Sequence, residues 1–240
     1  DWFPNGRPPL EKAGVLFADR ETVDKVETMK VCTCLNPLHT VLAVFGSLLR
    51  YRTIAETVGD PVLKRFIERV GYDEGMPVVV NPGIIQPEDF IRTVIEERFP
   101  NPFLPDTPQR IATDTSQKIP VRFGETLKAY HKRGVQSLSK LNYIPLFIAG
   151  WFRYLLGVDD QGNPMELSPD PMLAELKEKL AGIALGDERY DEILRPILSD
   201  PQLFGIDLTG TGLDEKVLGY FHEMTAGSGA VRTTLDRALS

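Results

Sequence analysis

The stretch Lys30-Val31-Cys32-Thr33-Cys34-Leu35-Asn36-Pro37-Leu38-His39 places an amine, a carboxamide and an imidazole within ten residues, and its backbone reading decides how the chain is built. Asn36 and His39, three apart, share one face of a helix, about 60° from each other at 3.6 residues per turn. On the same ideal helix Lys30 falls about 120° from Asn36 and about 180° from His39. Pro37 adds a constraint, because it has no N–H and its ring collides with the carbonyl four residues back. Two local structures fit. In one, Asn36 is an N-cap, Pro37 takes the first helical position and Lys30 comes from the end of a preceding element. In the other, one long helix carries a π-bulge near Cys32 to Asn36, which absorbs an extra residue and turns Lys30 toward His39.

Outward from this stretch the periodicity is helical almost everywhere. Val23, Val26 and Met29 mark a helix over Glu21 to Val31, and Leu38 to Tyr51 is apolar on nearly all sides, as a central buried helix is. Asp60-Pro61 is a cap followed by a first-turn proline, and Leu63, Phe66, Ile67 and Val70 give the stripe of the next helix. Val78-Val79-Val80 is the best strand candidate, limited to a short extended piece by Pro77 and Asn81-Pro82-Gly83. Glu88 to Phe99 returns to helix, and the prolines between Pro100 and Pro108 make a loop. A short helix over Gln109 to Thr113 lifts Arg110 out of that loop, and Lys118-Ile119-Pro120 starts a helix running to about Lys132.

Leu138 to Leu156, the most apolar stretch, reads as a second core helix with a kink or restart at Pro145. After a polar loop over Gly157 to Pro171, helices are expected over Pro171 to Leu180, Glu188 to Leu198 and Leu213 to Thr225, with a short terminal one beyond Gly227-Ser228-Gly229. The fold class is therefore mostly α.

With 42% apolar and 25% charged residues, the 240-residue chain has the composition of an ordinary soluble protein with ample length for a core. A net charge of −7 argues against nucleic acid and against an anionic membrane surface as partners. No window approaches eighteen or so consecutive apolar residues, and no signal pattern opens the chain, so a cytoplasmic location is expected. Cys32 and Cys34 are the two cysteines; a lone C-x-C lacks the further ligands of a zinc site, so reduced thiols are expected and no metal. No G-x-G-x-x-G stands between a strand and a helix, and Gly210-Thr211-Gly212 lacks both the third glycine and the strand, so no cofactor-binding residues are expected in this chain.

A lysine with a pKa lowered by partial burial can act as acid or base, while a neutral amide and imidazole can hydrogen-bond a developing alkoxide. Lys30, Asn36 and His39 together suit the protonation of a carbonyl oxygen. Taken singly, each has a plainer reading: a solvated helix lysine, a cap, a core histidine. His131, beside Lys132 and Arg133, and His222 lack comparable partners and read as structural.

The pattern of a lysine, an asparagine and a histidine three further on resembles the signature of the polyol-specific long-chain dehydrogenases, the family of mannitol 2-dehydrogenase and of fructuronate (mannonate) and tagaturonate reductases. Asp1-Trp2-Phe3-Pro4-Asn5-Gly6-Arg7-Pro8-Pro9 with Gly14-Val15-Leu16-Phe17 looks like that family's lead-in to its C-terminal domain. Arg98-Phe99-Pro100-Asn101-Pro102 with Asp106, Arg110, Lys118 and Pro120 is similar to a second block, and Trp151-Phe152-Arg153-Tyr154-Leu155-Leu156-Gly157 to a third. In the family four residues separate lysine from asparagine; here there are five, followed by Pro37, which favours the π-bulge.

The resemblance implies one C-terminal substrate-binding and catalytic domain over residues 1–240, with residues 1–20 as lead-in, of the multi-helical 6-phosphogluconate-dehydrogenase-like kind. It implies an N-terminal Rossmann domain as partner, holding NAD or NADP, and hence an inactive fragment when this chain stands alone. Lys30, Asn36 and His39 are the implied catalytic residues. Arg110 and Lys118 match basic positions facing substrate, and with nearby Arg122 they favour a hexuronate such as fructuronate, reduced to mannonate, over fructose and mannitol. The competing expectation, from another class, is a non-catalytic helical interaction module in which the three groups point apart.

Overall fold

The Asp19 carboxylate opens the structure's principal rod by accepting the Thr22 amide at 2.8 Å in a computed structural model that describes residues 4–186 and 190–240. Asp1 to Phe3 of the lead-in, and Glu188 at the expected start of a helix, lie outside the described residues. The rod runs through α1 (Arg20–Met29), a π-helix over Lys30–Cys34, and α2 (Asn36–Leu48). Leu35 N–H donates to the Lys30 carbonyl at 3.1 Å, and His39 N–H to the Leu35 carbonyl at 3.0 Å. The hydrogen-bond ladder therefore passes from Lys30 to Leu35 to His39, which lines up the backbone positions of Lys30 and His39 along the rod.

The extra residue is thus absorbed as a π-turn, placed at Lys30–Cys34 rather than near Cys32 to Asn36. Asn36 is not the N-cap of the first alternative: it is the first residue of α2, with Leu35 (φ −134°, ψ −64°) as the joint. That joint puts Pro37 in the first turn of α2, where a missing N–H breaks no bond. The Cys32 carbonyl, deprived of a ladder partner, accepts the Thr126 hydroxyl at 3.2 Å.

After the rod come α3 (Ile54–Gly59), α4 (Pro61–Glu68), α5 (Pro87–Thr93), α6 (Pro108–Ala112), α7 (Thr115–Arg122), α8 (Gly124–Lys132) and α9 (Val135–Leu138). They are followed by α10 (Tyr143–Leu155), α11 (Leu173–Leu180), α12 (Asp191–Leu198), α13 (Pro201–Phe204), α14 (Leu213–Thr225) and α15 (Ala230–Ala238). The core forms around α2 and α10, whose residues are buried on nearly every side. α10 packs on α14 and on α2, where a Cβ at Gly150 would stand only 2.1 Å from Phe45 Cζ. The rod is the one described helix long and apolar enough to cross a membrane, at 29 residues and a mean hydropathy of 1.5, but 78% of that apolar window is already buried in the protein.

Several sequence expectations change. Met76–Val78 is a 3-10 turn rather than a strand, and among the described residues the β content is one isolated bridge, Val158 to Pro164. The helix expected from Lys118 to Lys132 begins at Thr115 and breaks at Phe123 into α7 and α8. α10 begins at Tyr143, so Pro145 lies in its first turn and kinks nothing, while Leu138 ends the separate α9. Two more π-helices, Arg69–Gly75 after α4 and Val94–Arg98 after α5, were not expected, although each also ends just before a proline, Pro77 and Pro100.

Two buried charges serve the frame. Glu74 accepts the amides of Asn142, Tyr143 and Ile144 at 2.5, 2.8 and 2.7 Å, capping α10 from a distant element. Arg153, fully buried, donates to the Met224, Val158 and Asp159 carbonyls at 3.1, 2.7 and 2.7 Å, which accounts for it structurally.

Candidate active site

Every residue of α2 is buried except Asn36 and His39, so the two side chains that the spacing puts on one face are also the two that open outward. The Lys30 ammonium lies 5.4 Å from the centre of the Phe90 ring, a cation–π contact that directs it along α5. Gly75, at the end of the Arg69–Gly75 π-helix, backs the Lys30 turn; a Cβ there would stand 2.8 Å from Thr33 Cγ2. The Asn36 carbonyl accepts the Thr40 hydroxyl at 2.8 Å, and Thr40 Oγ1 accepts Arg122 Nη1 at 2.6 Å. The Asn36 carboxamide makes no hydrogen bond among the described residues.

His39 leans on Phe99, ring centres 5.2 Å apart, and its Nε2 is 3.7 Å from Asp106 Oδ2. Burial pushes the imidazole down to about 3, and Arg122, Arg110, Arg98 and Lys118 add to the effect, so His39 is neutral at physiological pH. The Val94–Arg98 π-turn, closed by Phe99 N–H on the Val94 carbonyl at 2.9 Å, is what aims Arg98 and Phe99 at this imidazole. Arg110, exposed, is ion-paired with Asp106. Lys118 donates to the carbonyls of Ile111 (3.0 Å) and Thr113, capping the end of α6, and burial and then the neighbouring Arg122 lower its pKa. Burial takes Arg122 down to about 10.

Four cations around one neutral imidazole, with Asp106 among them and Asp114 and Asp170 near Lys118, leave this face with an excess of positive charge on an acidic protein. His39, Ile54, Arg98, Phe99, Leu104 and Asp106 enclose a cavity of about 10 Å³, the room one water needs and far less than a sugar fills. Larger clefts lie elsewhere, one of about 390 Å³ between Cys32 and Lys132 on the α8 side of the π-turn.

Residues 22–217 match the family model of the mannitol dehydrogenase C-terminal domain. The chain belongs to that family. It is 57% identical over 242 residues to the D-mannonate oxidoreductase of Thermotoga maritima, covering 100% of this chain and 45% of the relative. The D-mannonate oxidoreductase of Escherichia coli is 36% identical over 194 residues, 81% of this chain and 38% of that one. A solved mannitol 2-dehydrogenase of Pseudomonas fluorescens, in ternary complex with NAD and D-mannitol, superposes with a TM-score of 0.77 at 27% identity over 99% of this chain and 45% of its own. The chain thus spans less than half the length of the relatives it matches.

As a member of the mannitol dehydrogenase C-terminal domain family the chain is helical like its structural neighbour. Gly210-Thr211-Gly212 precedes α14, with no named strand among the described residues, and the Gly210 amide already donates to the Asp214 carboxylate at 3.1 Å. Burial raises the Cys32 and Cys34 thiols to about 11 and about 12, which keeps them protonated.

The structure brings Asn36, His39, Arg110 and Lys118 to one region, while the contact it shows for the Lys30 amine is with Phe90 of α5. Sequence reasoning quoted Arg98 and Asp106 only as parts of a block and gave them no role. The spacing of Asp106 to Arg110, four apart across a helix start, was the available signal for their pairing. His131 is exposed, and His222 lies 6.1 Å from Tyr190, both away from the cluster.

Proposed function

We propose that this chain is the substrate-binding and catalytic half of an NAD(P)-dependent dehydrogenase that interconverts fructuronate, or a similar ketohexuronate, with mannonate or the corresponding secondary alcohol. The observation that carries the reading is the set of four cations around His39, in a chain whose whole length aligns at 57% identity with a D-mannonate oxidoreductase. An anionic sugar needs cationic groups; a neutral polyol does not.

In this reading Lys30 gives its proton to the carbonyl oxygen in reduction and takes it back in oxidation. The free Asn36 carboxamide donates to the alkoxide, and neutral His39 orients the substrate hydroxyl or the lysine. Arg110 and Lys118 hold the carboxylate, Lys118 with the donor that its two carbonyl partners leave over. The redox cofactor, NAD or NADP, accepts or supplies the hydride, and an N-terminal Rossmann domain is its proposed holder.

The test is an assay of the complete polypeptide with both cofactors against hexuronates and ketohexoses. The expected result is a higher kcat/KM for the hexuronate, and a turnover lowered about 100-fold or more in Lys30→Ala with loss of the basic limb of the pH profile. Near-native turnover in that variant would overturn the lysine assignment, and a preference for fructose would overturn the substrate.

A further inference from the structure

We propose that Asp106 is a positioning residue for His39: through one water in the small cavity between them, it fixes the imidazole as the Nε2–H tautomer and leaves Nδ1 as an acceptor on the substrate side. This rests on the proposed function only for its catalytic meaning.

The two ring nitrogens are in different surroundings. Nε2 is shut off from solvent and has no hydrogen-bond partner in the protein, whereas Nδ1 is not closed off in this way. A buried ring nitrogen without a partner costs roughly 1–3 kcal/mol, so the site must supply one. Asp106 Oδ2 at 3.7 Å is too far for a direct hydrogen bond and near enough for a shared water. The cavity that lies there has one-water size, and His39, Asp106 and Arg98 bring three polar groups to its wall, as a buried water requires.

Asp106 is pinned for the task. Its carbonyl accepts Ile54 N–H at 2.9 Å, its own N–H donates to the Leu104 carbonyl at 2.8 Å, and Oδ1 is engaged by Arg110. Oδ2 is thus held toward the imidazole. A water can donate both to Oδ2 and to a lone pair on Nε2, so the bridge alone does not choose the tautomer; the Asp106 negative charge 3.7 Å from the ring does, because it attracts an N–H on Nε2 and repels a lone pair there. The opposite tautomer would turn a lone pair toward that negative charge. With the proton on Nε2, the Nδ1 lone pair can accept from a substrate hydroxyl or from the Lys30 ammonium.

The experiment is ¹⁵N NMR of the imidazole in the complete polypeptide near neutral pH, with His39 assigned by its Gln variant. Native protein is expected to show a protonated Nε2 and an unprotonated Nδ1. Asp106→Asn, which can offer an N–H to the water, should lose that tautomer and lower kcat about 10- to 100-fold, the scale typical of lost orienting partners. Asp106→Glu should restore the tautomer in part. Arg110→Gln, which removes the ion pair but keeps the carboxylate, should retain it. An Nδ1–H tautomer in the native protein, which needs no variant to fold, would overturn the proposal, as would an unchanged tautomer in folded Asp106→Asn. If the tautomer follows Asp106 but no hexuronate or ketohexose is turned over, the positioning stands and the proposed function falls.

Discussion

At the scale of single residues, His39 is the group whose chemistry the surroundings alter most. Its pKa is depressed from 6.5 to about 3, so between these values the unfolded chain binds a proton that the folded chain refuses. Stability therefore falls as pH drops below 6.5, with a slope of at most about 1.4 kcal/mol per pH unit from this residue. In His39→Gln that contribution is gone. Urea midpoints taken from pH 7 to pH 4 should fall more steeply for the native protein than for the variant; parallel curves would refute a neutral His39. The pairing of Asn36 and His39 on one face was legible because it needs only the helical period. The Asp106 contact was not, since it joins distant segments and has no periodic signature.

At the scale of elements, the two core helices were legible from their apolar runs, while π-turns largely were not. A π-turn changes the local period over a few residues, and hydrophobic patterning averages that away. The Lys30–Cys34 turn was visible because Pro37 stands inside an apolar run that continues as helix; Pro77 and Pro100 follow the Arg69–Gly75 and Val94–Arg98 turns just as closely, but there the helix stops and a proline reads simply as its end. The Arg69–Gly75 turn still has a measurable role, since it delivers Glu74 to α10. Burial raises the Glu74 carboxyl to about 7 against the three amides that pull it down. Glu74→Ala would strand those amides in the interior and should cost roughly 3 kcal/mol or more in denaturant unfolding, with Glu74→Gln, which keeps one acceptor oxygen, losing less. Equal losses in the two variants would argue that Glu74 acts by packing and not as a cap.

At the scale of the whole molecule, a net charge of −7 coexists with a face where Arg98, Arg110, Lys118 and Arg122 meet. Such a face should attract anionic substrates in a salt-dependent way. Raising ionic strength from about 0.01 M to about 1 M shortens the Debye length from about 30 Å to about 3 Å. In the complete polypeptide KM for a hexuronate should rise over that range, and KM for a neutral ketohexose should stay nearly flat; the same slope for both would remove the electrostatic basis of the substrate reading. Leu10, Val15, Leu16 and Phe17, each between 40% and 60% exposed, form an apolar stretch on the surface of the lead-in.

The wide turn at Lys30–Cys34 has a consequence for how the chain meets a protease. An added residue in a surface loop makes a longer, softer bait, whereas here it is wound into a rod with Thr33 and Cys34 buried. Brief digestion with a protease of broad specificity should nick the proline-rich segment around the 91% exposed Phe103 and leave the peptide spanning Lys30 to His39 whole. Early cleavage inside that peptide, read by mass spectrometry, would mean that the rod opens there in solution.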